Sequence, residues 1–141
     1  MTLARRPFRP GAFSTLRPSH KPSKRSQDPV APETYDLVYR RAGGRCEAPP
    51  DLHRDGECRG RRHVHHRLPV SWGGRPDPEN LLVLCSWVHS WAHNHPVAAI
   101  VAGLIVPRRD GERPSDPGRY PVTVADGRRV LLTAEGYEEV A

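Results

Sequence analysis

Histidine is concentrated in one part of this chain, because seven of its eight histidines lie between His53 and His95. A solvated surface gives no reason for such a cluster, whereas neutral imidazoles are the commonest metal ligands in proteins. Three cysteines, Cys46, Cys58 and Cys85, fall in the same region. An odd number of cysteines argues against a disulfide framework and leaves metal ligation or burial as their uses. The sequence therefore predicts metal ligation in this region.

The remainder of the composition limits the class of protein. A length of 141 residues suits one domain, and 16 prolines with 36% hydrophobic residues predict that part of the chain is irregular. The longest apolar stretch, 97–106, is interrupted by Gly103 and reaches only about half of the ~20 residues that a membrane span needs. No apolar segment follows the basic start of the chain, as a secretory signal would require. We therefore expect a cytoplasmic protein without a membrane partner.

The positive charge is confined to the first part of the sequence. Residues 1–32 contain seven Lys or Arg residues and one acid, which accounts for the whole net charge of +6. Six prolines and no apolar periodicity predict a disordered basic arm. The predicted organisation is this arm, a core over 33–103, and a β extension over 104–141 that packs on the core.

Hydrophobic patterning predicts an α+β fold. A helix is expected from about Thr34 to the Gly43–Gly44 pair, and a loop from Cys46 to Gly60. Further strands and helices follow from apolar runs and from Pro96 and Gly103, which suit the start and end of a helix. The predicted strands are 63–68, 81–84, 104–106, 120–124 and 129–133, and the predicted helices are 86–94 and 96–102.

Two pairs of histidines give this pattern a chemical meaning. His89 and His93 are four residues apart, so they project from one face of the predicted helix within reach of one divalent ion. His65 and His66 are neighbours on a predicted strand and point to opposite sides. One of them can join the metal site, and the other is left to act as a separate base.

The segments HVHHRLPVSWGG, PENLLVLC and SWVHSWAH resemble the HNH, or ββα-metal, endonucleases over residues 45–95. The resemblance rests on a histidine pair, an asparagine fourteen residues later and a helical histidine nine residues further on. More loosely, residues 33–141 look like the small HNH proteins of bacteriophages, which are often encoded near packaging genes. A ββα-metal core with short flanking helices and a small C-terminal β segment is the fold that this resemblance implies.

The resemblance also implies a role for each motif residue. His66 corresponds to the general base that deprotonates the attacking water, and Asn80 to the residue that braces the loop. His65, His89 and His93 correspond to ligands of one divalent ion, which is Mg²⁺, Mn²⁺, Ni²⁺ or Zn²⁺. Arg62 and Arg67 are expected to hold the scissile phosphate of double-stranded DNA.

The cysteines depart from the family pattern, because many relatives carry two closely spaced cysteine pairs around a structural zinc. Here Cys46 and Cys58 are separated by eleven residues, and Val88 stands where a fourth cysteine is expected. Cys46, Cys58 and Cys85 are predicted to hold a structural zinc with either His53 or His63. Buried free thiols are the alternative.

The implied function is a metal-dependent DNA endonuclease in phage DNA processing or packaging, in the host cytoplasm, with terminase or portal proteins as further partners. The alternative is a catalytically inactive, zinc-stabilised nucleic-acid-binding module with the same fold. The intact histidine motif favours the enzyme.

The basic arm gives a first prediction. Lysine and arginine contacts to phosphate release counterions, which lowers log K against log salt by about 0.9 per phosphate engaged. A chain that starts at Glu33 should therefore show a slope of DNA binding against salt that is flatter by roughly three to five units. Turnover at saturating DNA should barely change. Equal slopes for the two chains, measured from low to moderate salt, would contradict an electrostatic role.

Overall fold

The computed structural model describes residues 29–108 and 115–140, so the predicted basic arm lies almost wholly outside the described residues. Within this part the protein is mixed α+β, with a two-stranded and a three-stranded antiparallel sheet. The helices are α1 (Pro32–Arg41), α2 (Ser86–Asn94) and α3 (Pro96–Ala102). The strands are β1 (Arg62–His66), β2 (Leu81–Cys85), β3 (Val122–Thr123), β4 (Arg129–Leu132) and β5 (Tyr137–Glu139). No helix among the described residues has both the length and the apolar character that crossing a bilayer requires.

Strands β1 and β2 form the centre of the fold, and every residue of β2 is buried. Leu81 and Val83 pack with Val38 of α1 on one side of the pair. Leu82 and Leu84 face the other side, where they join the larger core with residues of α2 and α3. A strand that is buried on both faces reads as a continuous apolar run, which is why LLVLC shows no alternation.

Helices α2 and α3 begin and end where the sequence predicts. Proline at position 96 occupies the first turn of α3, where its missing N–H costs nothing. Gly103 ends α3 in the left-handed conformation, and a Cβ at this position would collide with the carbonyl of Pro121. Only glycine therefore allows the chain after α3 to pass close to the segment that leads into β3.

The C-terminal strands share the core of the rest of the protein. Val122, Val130 and Leu132 belong to the same buried cluster as Val88 of α2. The predicted strand at 104–106 is wrong, since the chain bends at 104–105 and pairs with no strand. The N–H groups of Leu104 and Ile105 donate to the Ala99 carbonyl of α3 instead, and the Val106 N–H donates to the Arg67 carbonyl just after β1. Strand β5 was not predicted, because YEE has no apolar alternation.

Arg67 is a structural residue, so its predicted contact with DNA is wrong. Its side chain is completely buried at the end of β1. The guanidinium donates to four backbone carbonyls in three separate segments, those of Gly103, of Glu79, and of Pro117 and Tyr120. Burial lowers its pKa to about 10, which leaves the group charged at neutral pH. A guanidinium that is enclosed and donates four of its five N–H groups to the backbone is not accessible to a phosphate.

We predict that Arg67→Met destabilises the protein by about 3–5 kcal/mol, since it leaves several buried carbonyls without a donor. The matched control is Arg75→Met, because Arg75 is 81% exposed and should change stability by less than about 0.5 kcal/mol. Urea unfolding followed by circular dichroism measures both variants. Similar midpoints for the two variants would contradict the structural role of Arg67.

A second buried arginine ties α1 to the sheets. Arg41 forms a two-pronged ion pair with Glu47, with Nε–Oε1 and Nη2–Oε2 distances of 3.0 and 3.3 Å. The carboxylate of Glu47 also accepts the N–H of Val83 and the hydroxyl of Tyr137. This hydrogen-bonded network joins the N-terminal helix, the central strand and the last strand.

Candidate metal centres

The histidines predicted as metal ligands meet on the α2 side of the β1–β2 pair. Each of His65, His89 and His93 offers one ring nitrogen, and these three atoms lie within 4.8 Å of one another. The rings of His89 and His93 have centroids 4.8 Å apart, and the ring of His65 lies 5.3 and 5.5 Å from them. We call these residues the histidine triad. Its spacing matches one cation bound by three imidazoles.

His65 is oriented for ligation by a hydrogen bond from the opposite side of its ring. Its Nε2 lies 2.9 Å from the carbonyl oxygen of Leu104, so Nε2 carries the proton and the lone pair is on Nδ1. Burial lowers the pKa of His65 to about 3, against an opposing effect of the Leu104 bond. The ring is therefore neutral at physiological pH, as a metal ligand must be.

His89 is the central member of the triad and also contacts a fourth imidazole. Burial and the neighbouring His93 and His63 lower the pKa of His89. The ring of His63 stacks on that of His89 at 5.1 Å with an interplanar angle of 15°. The sequence indicated a role for His63 only as an alternative ligand of the structural zinc. Its place is set by strand alternation, since residues two apart on β1 share a face.

His66 lies on the other side of the β1–β2 pair, as adjacent strand residues must. It is paired with Leu81, whose side chain packs toward α1. Its Nε2 is shielded from solvent and has no hydrogen-bond partner among the described residues. Burial lowers the pKa of His66, so that the neutral, proton-accepting form persists to lower pH than for an exposed histidine. His66 thus stays outside the triad.

Asn80 closes the long loop between β1 and β2. Its Oδ1 accepts the N–H of Leu68 at 2.7 Å, and its Nδ2 donates to the carbonyls of Leu68 and Arg75. The side chain is buried, so these bonds are protected from water. Asn80 therefore fixes the path of the chain immediately after the His65–His66 pair.

The three cysteines meet in a second cluster, in which the fourth member is His53. One ligand atom from each of Cys46, His53, Cys58 and Cys85 lies within 4.8 Å of the others. His63 is not part of this group, because its Nε2 is 2.8 Å from the hydroxyl of Ser86. The structure thus distinguishes between His53 and His63, the two histidines that were predicted as alternatives for the fourth position of this cluster. This cysteine–histidine cluster can hold a metal ion such as zinc.

The chemistry of the donors fits this role. Nδ1 of His53 lies 3.0 Å from the Pro49 carbonyl and carries the proton, which leaves the Nε2 lone pair 3.1 Å from Sγ of Cys58. A backbone carbonyl on the far nitrogen is the usual partner of a zinc-binding histidine. Burial raises the pKa of Cys46 to about 12, so its thiol needs a cation in order to ionise. Burial also acts to raise the pKa of Cys85, but backbone hydrogen bonds from Val88 and Arg59, together with side-chain hydrogen bonds to the other two cysteines, outweigh it and lower that pKa.

Arg62 lies on the same face of β1 as His66 and is half-buried. Its Nη1 donates to the Gly60 carbonyl, while Nε has no partner among the described residues.

The chain matches no protein-family model, no curated protein and no solved structure. The chemistry of the two clusters must therefore carry the functional inference.

We predict that His93→Ala weakens binding of Ni²⁺ or Mn²⁺ by at least about 100-fold, since two imidazoles hold a cation poorly. His95→Ala is the matched control, because His95 lies at the same end of α2 but stacks on Trp91 outside the triad. Calorimetric titration of both variants measures the effect. Unchanged affinity in His93→Ala would show that His93 is not a ligand.

Proposed function

We propose that the protein is a metal-dependent DNA endonuclease of the ββα-metal type, which hydrolyses phosphodiester bonds. The observation that carries the proposal is the convergence of the histidine triad on two antiparallel strands followed directly by a helix. A second histidine stands beside the triad in sequence but outside it in space. This arrangement supplies a cation site and a separate base, which together suit hydrolysis of a phosphodiester.

The histidine triad would hold one divalent cation, which when bound stabilises the negative charge that develops on the phosphate and leaving oxygens. His66 then acts as the general base, because its neutral ring accepts a proton from the attacking water. The lowered pKa of His66 keeps this form populated near neutral pH. Asn80 acts indirectly by holding the chain that follows His66 in one conformation.

The cysteine–histidine cluster is proposed to hold a structural zinc. It joins the irregular segment around His53 to the end of β2. Cys85 is the last residue of β2 and directly precedes α2. A zinc ion at this point would therefore fix the start of the helix that carries His89 and His93.

Double-stranded DNA is the proposed substrate. Arg62 remains the candidate for a phosphate contact, since it shares a strand face with His66. The net charge of +6 lies in residues 1–32 and would provide the long-range attraction. Phage packaging proteins are proposed as further partners on the basis of the resemblance alone.

Incubation of supercoiled plasmid with the purified protein tests this function, with Mg²⁺, Mn²⁺ or Ni²⁺ and with or without chelator. The proposal predicts nicking that depends on the added cation and is lost in His65→Ala. Binding of DNA without cleavage under all conditions would favour the alternative, a zinc-stabilised binding module without turnover. The cation that gives the highest rate need not be the cation that binds most tightly, because imidazole favours Ni²⁺ and Zn²⁺ over Mg²⁺.

A further inference from the structure

His89 and its neighbour His93 have no backbone carbonyl partner among the described residues, unlike the other two histidines of the clusters. A metal-binding histidine usually donates its second ring nitrogen to a carbonyl or carboxylate, as His65 does to Leu104 and His53 does to Pro49. Among the described residues, the hydrogen-bond partner of His89 is only the neighbouring His93, at 3.4 Å. Its ring therefore needs another support in order to keep one orientation.

His63 provides a surface that meets this need. It lies two residues before His65 on the same face of β1, and its ring stacks nearly parallel to that of His89. Stacked aromatic rings at this separation attract each other and oppose rotation about the ring-bearing bond. The contact thus restrains the plane of the His89 ring.

The ring of His63 is itself anchored. Its Nε2 lies 2.8 Å from the hydroxyl of Ser86, the first residue of α2. That hydroxyl donates to the carbonyl of Arg61, so the proton of the first bond belongs to Nε2 of His63. The backbone N–H of Ser86 donates to the same carbonyl at 2.8 Å. Strand β1 and the start of α2 are joined at the point where His63 meets His89.

We propose that His63 is a positioning residue that holds the imidazole of His89 in the orientation required for cation binding. This inference rests on the proposed function only in that the histidine triad binds a divalent cation. His63 is not a ligand in this account, and its contribution comes from the flat face of the ring. A side chain with an aromatic face but no ring nitrogen should therefore replace it.

Three substitutions distinguish the effect of an aromatic ring face from the effect of side-chain volume: His63→Phe, His63→Leu and His63→Ala. Affinity for Co²⁺ is measured by calorimetry on protein that carries zinc in the cysteine–histidine cluster. The alanine and leucine variants should bind about 10–100-fold more weakly, while phenylalanine should recover most of this loss. The visible absorption spectrum of Co²⁺ in the triad should change in the alanine and leucine variants and stay as in the wild type with phenylalanine.

Urea unfolding of the same zinc-loaded proteins without Co²⁺ provides the control. The phenylalanine and leucine variants should unfold at similar concentrations, so that their difference in Co²⁺ affinity does not follow stability. Equal Co²⁺ affinity in these two variants, or wild-type affinity in His63→Ala, would overturn the inference. If the wild type and His65→Ala bind Co²⁺ equally, the triad holds no cation, and the proposed function fails together with the inference.

Discussion

Replacement of His66 by alanine should reduce DNA cleavage by about 10²–10⁴-fold and leave cation affinity nearly unchanged, since general-base catalysis contributes that much to rate. The two effects separate because His66 lies on the opposite side of the β1–β2 pair from α2. Single-turnover cleavage of labelled duplex DNA measures the rate, and calorimetry measures the cation. His95→Ala is the control for loss of an imidazole near the site.

The pH dependence of the same reaction supplies a further check on His66. Burial lowers its pKa below 6.5, the usual value for histidine, so most of the rings are unprotonated at pH 6.5. Cleavage by the wild type should therefore persist at pH 6.5 and decline only at lower pH.

If His66→Ala loses the cation while His65→Ala keeps it, the roles assigned to the pair are reversed.

Loss of the cysteine–histidine cluster should have the largest effect on stability. Structural zinc sites have apparent binding free energies of about 10–16 kcal/mol, which become folding free energy when the site forms only in the folded chain. We expect Cys58→Ser to lower stability by several kcal/mol through loss of zinc. The measurements are zinc content by elemental analysis and the midpoint of urea unfolding.

Substitution of Cys58 distinguishes a zinc ligand from a free thiol because this residue is exposed. If the cysteines were free thiols, serine at an exposed position would change stability by less than about 0.5 kcal/mol. Cys46 and Cys85 are buried, so their replacement would destabilise the protein under either account. A stable, zinc-free Cys58→Ser protein with an unchanged unfolding midpoint would thus contradict the zinc site.

Local sequence signals predicted the elements that carry the histidine triad. Proline at the start of α3 and Gly103 at its end act within one turn, so the bounds of that helix follow from the chain itself. His89 and His93 share a face because a helix has 3.6 residues per turn. The alternation of side chains on β1 separated His65 from His66 in the same way.

Contacts between distant segments were not predictable. The buried position of Arg67 depends on carbonyls supplied by three other segments, and a sequence pattern shows only that an arginine follows a histidine pair. The choice of His53 over His63 depends on how the loop after Cys46 folds back on β2. The stacking of His63 on His89 likewise needs the packing of α2 on the strands.

The relation between cation occupancy and cleavage tests the central claim most directly. Duplex DNA is incubated with zinc-loaded protein while Mn²⁺ is titrated into the histidine triad, and both occupancy and the rate of strand cleavage are recorded. We expect the rate to rise in proportion to occupancy, to vanish in His65→Ala, and to yield ends with a 5′-phosphate and a 3′-hydroxyl. Cleavage that persists in chelator, or full occupancy without any cleavage, would contradict a metal-dependent endonuclease.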